Sequence, residues 1–173
     1  MGTLEQPFEA DPVVAIYPRA LPQVYGYLLP RCGSAVVAED LTAETFLAAV
    51  AASRQGSVAE VSVAWLVGVA RHKLVDHWRR VAREQRNFAV AQQMTDGLED
   101  PWDEHLDSAA LHASLARLSA HQRAALTLRY LDGLQVREVA EHLDRSVRAT
   151  ETLLVRARAA LRRVYREEES HDD

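Results

Sequence analysis

The stretch that decides the fold is "LSAHQRAALTLRYLDGLQVREVAEHLDRSVRATETLLVRARAALRR", residues 118–163. Its first part has the signals of a helix with defined ends. Ser119 followed three residues later by Gln122 is the pattern of a capping box at a helix start. Gly133, in "LDG", can adopt the left-handed conformation that ends many helices. The sequence therefore predicts a helix that begins after Ser119 and ends before Gly133.

Two more helices follow in the same stretch, joined by a tight turn. The segment "QVREVAEHL" (135–143) repeats apolar residues at helical intervals, and "DRS" then reads as a turn in which Ser146 caps the last helix. A short helix, a tight turn and a longer helix are typical of a helix-turn-helix. The buried seam of the last helix is predicted to consist of Val147, Thr150, Leu154, Ala157, Leu161 and Val164.

The opposite face of the last helix has the side chains that read duplex DNA. Arginine can pair with guanine, glutamate can accept from the cytosine amine, and a threonine methyl can contact thymine. Other arginines are placed to contact phosphates. A helical hairpin that binds only protein stays open as the alternative, although the excess of arginine disfavours it. The predicted outward residues are Arg148, Glu151, Thr152, Val155, Arg156 and Arg162, and the predicted phosphate contacts are Arg145, Arg156, Arg158 and Arg162.

A second basic segment, "WLVGVARHKLVDHWRR" (65–80), has four basic residues and one acidic residue. On a helix, one side of it is apolar and is predicted to face a core: Leu66, Ala70, Leu74 and Val81. Bases of unpaired DNA stack on aromatic rings while arginines follow the phosphates, so the other side predicts a site for single-stranded nucleic acid. Ordinary, partly buried aromatics with solvated arginines are the alternative. The side in question has Trp65, His72, Asp76 and Arg79, with Arg80 at its margin.

The net charge of −5 is divided unevenly along the 173 residues. Residues 108–166 contain eleven arginines and five acids, whereas residues 81–107 contain two arginines and seven acids. Basic blocks attract polyanions even in an acidic chain. Helical periodicity throughout, together with a polar, acidic stretch at 88–107, predicts an all-α chain. It consists of two small helical domains, 1–87 and 108–166, an acidic flexible linker between them, and a disordered acidic tail at 167–173.

Other classes of protein find little support. The prolines of the first domain predict two short helices, at 13–17 and 20–29. The domain does not begin with a basic, apolar leader, and no apolar run is long enough to span a membrane. We therefore expect a cytoplasmic protein. Cys32 is the only cysteine, which excludes an internal disulfide and a cysteine-based zinc site. We find no phosphate-binding loop, nucleophile elbow or helical His pair, and expect neither catalysis nor a metal or other cofactor.

Three segments together resemble the bacterial extracytoplasmic-function (ECF) sigma factors of RNA polymerase. They are "AEDLTAETF" (38–46), "AWLVGVARHKLVDHWRR" (64–80), and "RAALTLRYLDGLQVREVAEHL" with "VRARAALR" in the helix-turn-helix. The resemblance covers nearly the whole chain in the family's order. It implies a subunit that binds core RNA polymerase and directs initiation at specific promoters, with the β′ clamp, the β flap, promoter DNA and an anti-sigma factor as partners.

The resemblance also implies roles for residues. The surface that binds the β′ clamp corresponds to Asp40, Leu41, Glu44 and Phe46. The helix that captures the −10 element as single strands corresponds to Trp65, His72, Lys73, Asp76, Arg79 and Arg80. The residues that read the −35 element as duplex correspond to Arg145, Ser146, Arg148, Glu151, Thr152 and Arg156.

Two places depart from the family pattern. Ala43 stands where the family usually has glutamine, and "RATETL" (148–153) replaces a stretch like Gly-Thr-Val-Lys-Ser-Arg, so no −35 consensus is transferred.

A stand-alone helix-turn-helix regulator with a helical sensor or dimerisation domain explains 108–166 equally well. It does not explain the aromatic and basic face of 65–80. A regulator of that kind would bind its DNA site alone, whereas a sigma factor needs core polymerase.

Overall fold

Every regular element in the described residues, 11–88 and 108–169, is helical in this computed structural model, which confirms the all-α class. The chain forms two compact units, Met1–Leu74 and Val75–Asp173, and the boundary between them falls inside its third helix. Most of the predicted linker, 88–107, and the end of the predicted tail lie outside the described residues. The helices are α1 (Pro12–Cys32), α2 (Ala35–Arg54), α3 (Val63–Phe88), α4 (Ser108–Ala116), α5 (Ala120–Leu126), α6 (Val136–Leu143) and α7 (Val147–Glu169).

The first helix is continuous, so the prediction of two short helices at 13–17 and 20–29 is wrong. Pro18, Pro22 and Pro30 all lie inside α1. An interior proline costs a helix about 3 kcal/mol because it removes a backbone donor and crowds the preceding turn. The rings of Pro18 and Pro22 lie on the exposed side of α1, where carbonyl groups left without a helical donor can bond to water. Burial of the opposite side against α2 therefore maintains the helix.

A two-residue connection folds α1 back along α2. Gly33 adopts a left-handed conformation with φ of 66°, and its N–H donates to the Leu29 carbonyl. Ser34 then caps α2 by accepting a hydrogen bond from the Val37 N–H at 3.4 Å. Gly33 thus ends α1 through its backbone conformation, and Ser34 starts α2 through its side-chain hydroxyl. The core of this unit includes Val24, Leu28, Ala38, Leu41, Phe46, Leu66, Ala70 and Leu74.

In the second unit the helix-turn-helix forms around α7, against which α4, α5 and α6 pack. Ser119 caps α5 as predicted, and the α5 helix continues as a wider π-helical turn over Thr127–Leu131 before Gly133, whose φ is 69°. That widened turn has no signal in the sequence pattern. The Arg123 guanidinium donates to the Leu115 carbonyl at 2.9 Å and so fixes the connection between α4 and α5.

The predicted seam of α7 is confirmed at five of its six positions. Thr150, Leu154, Ala157, Leu161 and Val164 are buried, but Val147 is 40% exposed, so its assignment to the core is wrong. Val147 begins the helix, where no preceding helical turn covers it. The helix also extends to Glu169, three residues into the segment that the sequence assigns to the tail.

Candidate nucleic-acid and protein interfaces

The segment of α2 predicted to bind a protein partner contains both surface and core residues. Asp40 and Glu44 are exposed, one helical turn apart. Leu41 and Phe46 are buried, and the Phe46 ring packs edge-on against Tyr17 with 4.8 Å between ring centroids. Asp40 and Glu44 can therefore contact a partner directly, whereas Leu41 and Phe46 support the helix from the inside.

Two apolar side chains that sequence reasoning missed complete this surface. Val36 is 68% exposed and Leu47 is 71% exposed. Spacings of three and four residues place both on the face of α2 that carries Asp40 and Glu44, opposite the core. The available signal was that Leu47 lies outside the arc of α2 positions that face the core. We call this surface the α2 stripe: Val36, Asp40, Ala43, Glu44 and Leu47.

The first half of α3 presents its predicted face largely as expected. Leu66, Ala70 and Leu74 are fully buried, while His72 is exposed and Trp65 is half-buried. Trp65 is thus accessible in part at the start of the helix, where the Ser62 hydroxyl accepts a hydrogen bond from the backbone N–H of Trp65. This face offers an aromatic ring and polar groups to a ligand.

Lys73 joins the two candidate surfaces of the first unit. Its ammonium group lies 3.9 Å from a carboxylate oxygen of Glu44 on α2. Both side chains are partly exposed, and ion pairs of this kind contribute little to stability. Either group can therefore exchange its partner for a ligand of opposite charge at small cost.

In the second half of α3 the predicted DNA-binding residues differ in their availability. Asp76 and Arg80 are exposed, and Arg80 lies 3.2 Å from the Nδ1 atom of His77. Arg79 is half-buried, and its guanidinium donates a hydrogen bond of 2.6 Å to the carbonyl oxygen of His142 in α6. The sequence predicted that Arg79 lies on an exposed face. Its guanidinium instead bonds to a residue 63 positions later in the chain.

The turn between α6 and α7 has the geometry of a helix-turn-helix. Asp144 adopts a left-handed conformation with φ of 52°, which reverses the chain after α6. Ser146 caps α7 as predicted: its hydroxyl accepts a hydrogen bond from the Ala149 N–H at 3.2 Å. At the other end of α6, the Glu138 carboxylate accepts from the Gln135 N–H at 2.7 Å. Local hydrogen bonds therefore fix both ends of α6 and the start of α7.

The outward face of α7 brings together the residues predicted to read duplex DNA. Arg148, Glu151, Thr152 and Arg156 are all exposed on the first three turns. Guanidinium donors, a carboxylate acceptor and a methyl group on one helix face can address the edges of bases in a major groove. Among the residues predicted beside this face, Ser146 is exposed and Arg145 is half-buried.

Beside the turn, the environment of His121 is unfavourable for positive charge. Partial burial lowers the pKa of His121, and the guanidinium groups of Arg145, Arg86 and Arg79 lower it further. The neutral imidazole is therefore favoured at neutral pH, and the positive field around Arg145 is available to an anion such as a DNA phosphate.

Neither a metal site nor a membrane span is found in the parts of the chain that the structure describes. Within 11–88 and 108–169 no three His, Cys, Asp or Glu side chains are grouped as metal ligands. None of the helices in those ranges is both long enough and apolar enough to cross a membrane.

Comparison with protein families matches both halves of the chain. Residues 16–84 match the model for Sigma-70 region 2, and residues 108–161 match the model for Sigma-70, region 4. Together these matches include most of α1, all of α2, most of α3, all of α4 to α6, and α7 as far as residue 161. The outward face of α7 and the α2 stripe both fall within them.

Named relatives are found among bacterial sigma factors. The ECF RNA polymerase sigma factor BldN of Streptomyces coelicolor is 35% identical over 90% of this chain, and the match spans 61% of BldN. SigL of Mycobacterium tuberculosis, also an ECF RNA polymerase sigma factor, is 31% identical over 92% of each protein. The sigma factor RpoE of Bartonella quintana, solved with the anti-sigma factor NepR, has the same fold, with a TM-score of 0.54 at 21% identity over 88% of this chain and 95% of RpoE.

Proposed function

Because this chain belongs to the ECF family of RNA polymerase sigma factors, we propose that it binds core RNA polymerase and directs promoter-specific initiation of transcription in the cytoplasm. It acts as a dissociable specificity subunit and not as an enzyme. The observation that carries the proposal is the exposed face of α7, the second helix of the helix-turn-helix. This face presents Arg148, Glu151, Thr152 and Arg156. That face reads the −35 element as duplex.

Core polymerase binds through the α2 stripe. Exposed carboxylates at Asp40 and Glu44 attract a basic surface, while Val36 and Leu47 supply apolar area to bury. In this proposal the β′ clamp binds the α2 stripe and the β flap binds the helix-turn-helix unit. An anti-sigma factor that competes for these surfaces is the regulatory partner.

The face of α3 captures the −10 element once the strands separate. Trp65 offers a ring on which a base can stack, and Lys73, Arg79 and Arg80 neutralise phosphates, with His72 and Asp76 at the edges of the face. In the free chain one guanidinium nitrogen of Arg79 donates to the His142 carbonyl, and an arginine side chain has further N–H donors that can contact a phosphate.

Transcription in vitro tests the proposal. Core enzyme with this chain is expected to produce transcripts from specific promoters, with start sites that neither component produces alone. A stand-alone regulator, the other reading of a helix-turn-helix, has no observation in its favour here, since both sigma regions are matched. Tight binding of a duplex site by the free chain, with no transcript when core enzyme is added, would refute the proposal.

Selection from a randomised −35 library tests the role of α7. Arg148→Ala and Glu151→Ala are expected to change the selected bases, each at its own position, because each removes a hydrogen-bonding group that discriminates between base pairs. Arg19→Ala is the matched control, since it removes an exposed guanidinium from α1. Identical selected sequences for all three variants and the wild type would show that α7 does not read bases through these residues.

Open-complex formation tests the role of α3. Trp65→Ala and Arg79→Ala are expected to impair strand opening, detected by permanganate reactivity of unpaired thymines, more than they impair binding to core enzyme. Normal strand opening by both variants would remove this assignment.

A further inference from the structure

The apolar side chain of Val155 lies on the face of α7 proposed to contact DNA and remains 45% exposed. It does not belong to the core, which α7 builds with Leu154 and Ala157 on its other side. Arg148 and Arg156 are exposed on the same turns of the helix. Val155 thus presents an apolar side chain on a face whose other exposed members, Arg148, Glu151, Thr152 and Arg156, are polar or charged.

Local stability does not account for Val155. β-Branched residues are weaker helix formers than alanine or straight-chain residues, because the preceding turn restricts their χ1 angle. With 45% of Val155 exposed, packing in the folded chain offsets only part of that disadvantage. Positions that break a local preference without a structural gain are where functional roles are expected.

Thr152 adds a methyl group beside Val155. Its hydroxyl donates a hydrogen bond of 3.0 Å to the carbonyl oxygen of Arg148, one turn earlier in α7. The buried Thr150 makes the same type of bond to Ser146, also at 3.0 Å. With its donor used inside the helix, exposed Thr152 has its γ-methyl to offer to a ligand. Residues three apart on a helix are neighbours, so Thr152 and Val155 form one small apolar patch.

One class of group in duplex DNA fits this patch. The thymine C5-methyl is the apolar group that base pairs display in the major groove. Arg148 and Arg156 attract the polyanion, and the patch then lies against the base edges between them. Cytosine presents a hydrogen at the corresponding carbon, and its amine prefers an acceptor such as Glu151.

We propose that Thr152 and Val155 form a methyl-reading patch, so that the −35 element preferred by this chain contains a thymine whose C5-methyl packs against them. This inference rests on the proposed function, because it assigns a specificity to the same face of α7. The flanking arginines position the helix, and the patch discriminates an A·T pair from its competitors without a hydrogen bond from either side chain.

Replacement of thymine by uracil tests the patch directly, because it removes only the methyl group and leaves base pairing intact. The full chain and core enzyme first select a promoter from a randomised −35 library, and each −35 thymine is then replaced by uracil in turn. We expect one replacement to lower the initial rate of transcription about four-fold at subsaturating holoenzyme, the effect of losing one buried methyl group. The double variant Thr152→Ser/Val155→Ala should transcribe from thymine and uracil templates at equal rates.

Val14→Ala is the matched control, since it removes the same atoms from a 57% exposed valine on α1; it should retain the four-fold preference for thymine. Thr152→Ser keeps the hydroxyl that bonds to Arg148, so a loss of discrimination in that variant reports the methyl alone. Promoter-dependent transcripts made equally well on thymine and uracil by the wild type would overturn the inference and leave the proposed function intact. No promoter-dependent transcript from any template would refute the proposed function and this inference with it.

Discussion

Truncation of two neighbouring residues of α2 separates binding to core polymerase from stability. Leu47 is 71% exposed, whereas Phe46 is 8% exposed and packs edge-on against Tyr17. We expect Leu47→Ala to leave the melting temperature of the free chain nearly unchanged, since exposed substitutions change the free energy of unfolding by at most about 0.5 kcal/mol. Phe46→Ala should lower that free energy by about 3–5 kcal/mol because it opens a cavity in the core.

The expected effect of Leu47→Ala on binding follows from its exposure. The substitution removes three carbon atoms, each of which contributes about 0.8 kcal/mol when fully buried. Since 71% of the residue is exposed in the free chain, burial in a complex gains at most about 1.7 kcal/mol from those atoms. The dissociation constant for core polymerase should therefore rise by up to about 18-fold.

Fluorescence anisotropy of the labelled chain, titrated with core enzyme, measures this constant, and thermal unfolding followed by circular dichroism measures stability. Val14→Ala, at an exposed position on α1, should change neither quantity. The reasoning is refuted if Leu47→Ala binds core enzyme as tightly as the wild type. It is also refuted if Leu47→Ala lowers the melting temperature as much as Phe46→Ala does, because Leu47 would then be a core residue.

Three further predictions concern stability. Gly133→Ala should lower the free energy of unfolding by about 1–2 kcal/mol, because the φ of Gly133 is 69°. Gly26→Ala should raise that free energy by about 1 kcal/mol, since Gly26 lies inside α1 with open space around it. The midpoints of urea unfolding should therefore shift in opposite directions. Ser146→Ala removes the cap that bonds to Ala149 and should cost about 1 kcal/mol in the same assay. Because the folded chain holds the pKa of His121 below its ordinary 6.5, the unfolded chain binds a proton first, and stability should fall as the pH drops below 6.5; His121→Gln should flatten this dependence between pH 7.5 and 5.5.

The surfaces proposed to bind promoter DNA and core polymerase depend on features with very different origins. The starts of α5 and α7 were predictable because each is fixed by a residue within a few positions, namely the capping hydroxyls of Ser119 and Ser146. The outward face of α7 was predictable for a similar reason, since the period of a helix alone separates Arg148 and Glu151 from Thr150 and Leu154. Local chemistry and helical geometry were sufficient at these places.

The continuity of α1 through three prolines was decided by tertiary packing, because burial against α2 outweighs the preference of the local sequence. Packing also decided that Phe46, which the resemblance placed on the surface that binds the β′ clamp, is in the core, while its neighbour Leu47 is on the surface. Arg79 donates a hydrogen bond to the carbonyl group of His142, which lies 63 residues later in the chain. No sequence pattern predicts a contact over that separation. The sequence by itself thus determined the helix-turn-helix, the caps at Ser119 and Ser146 and the outward face of α7, since those depend on neighbours along the chain. Only the tertiary structure determined which side chains on those helices remain available to a partner, since burial depends on neighbours in space.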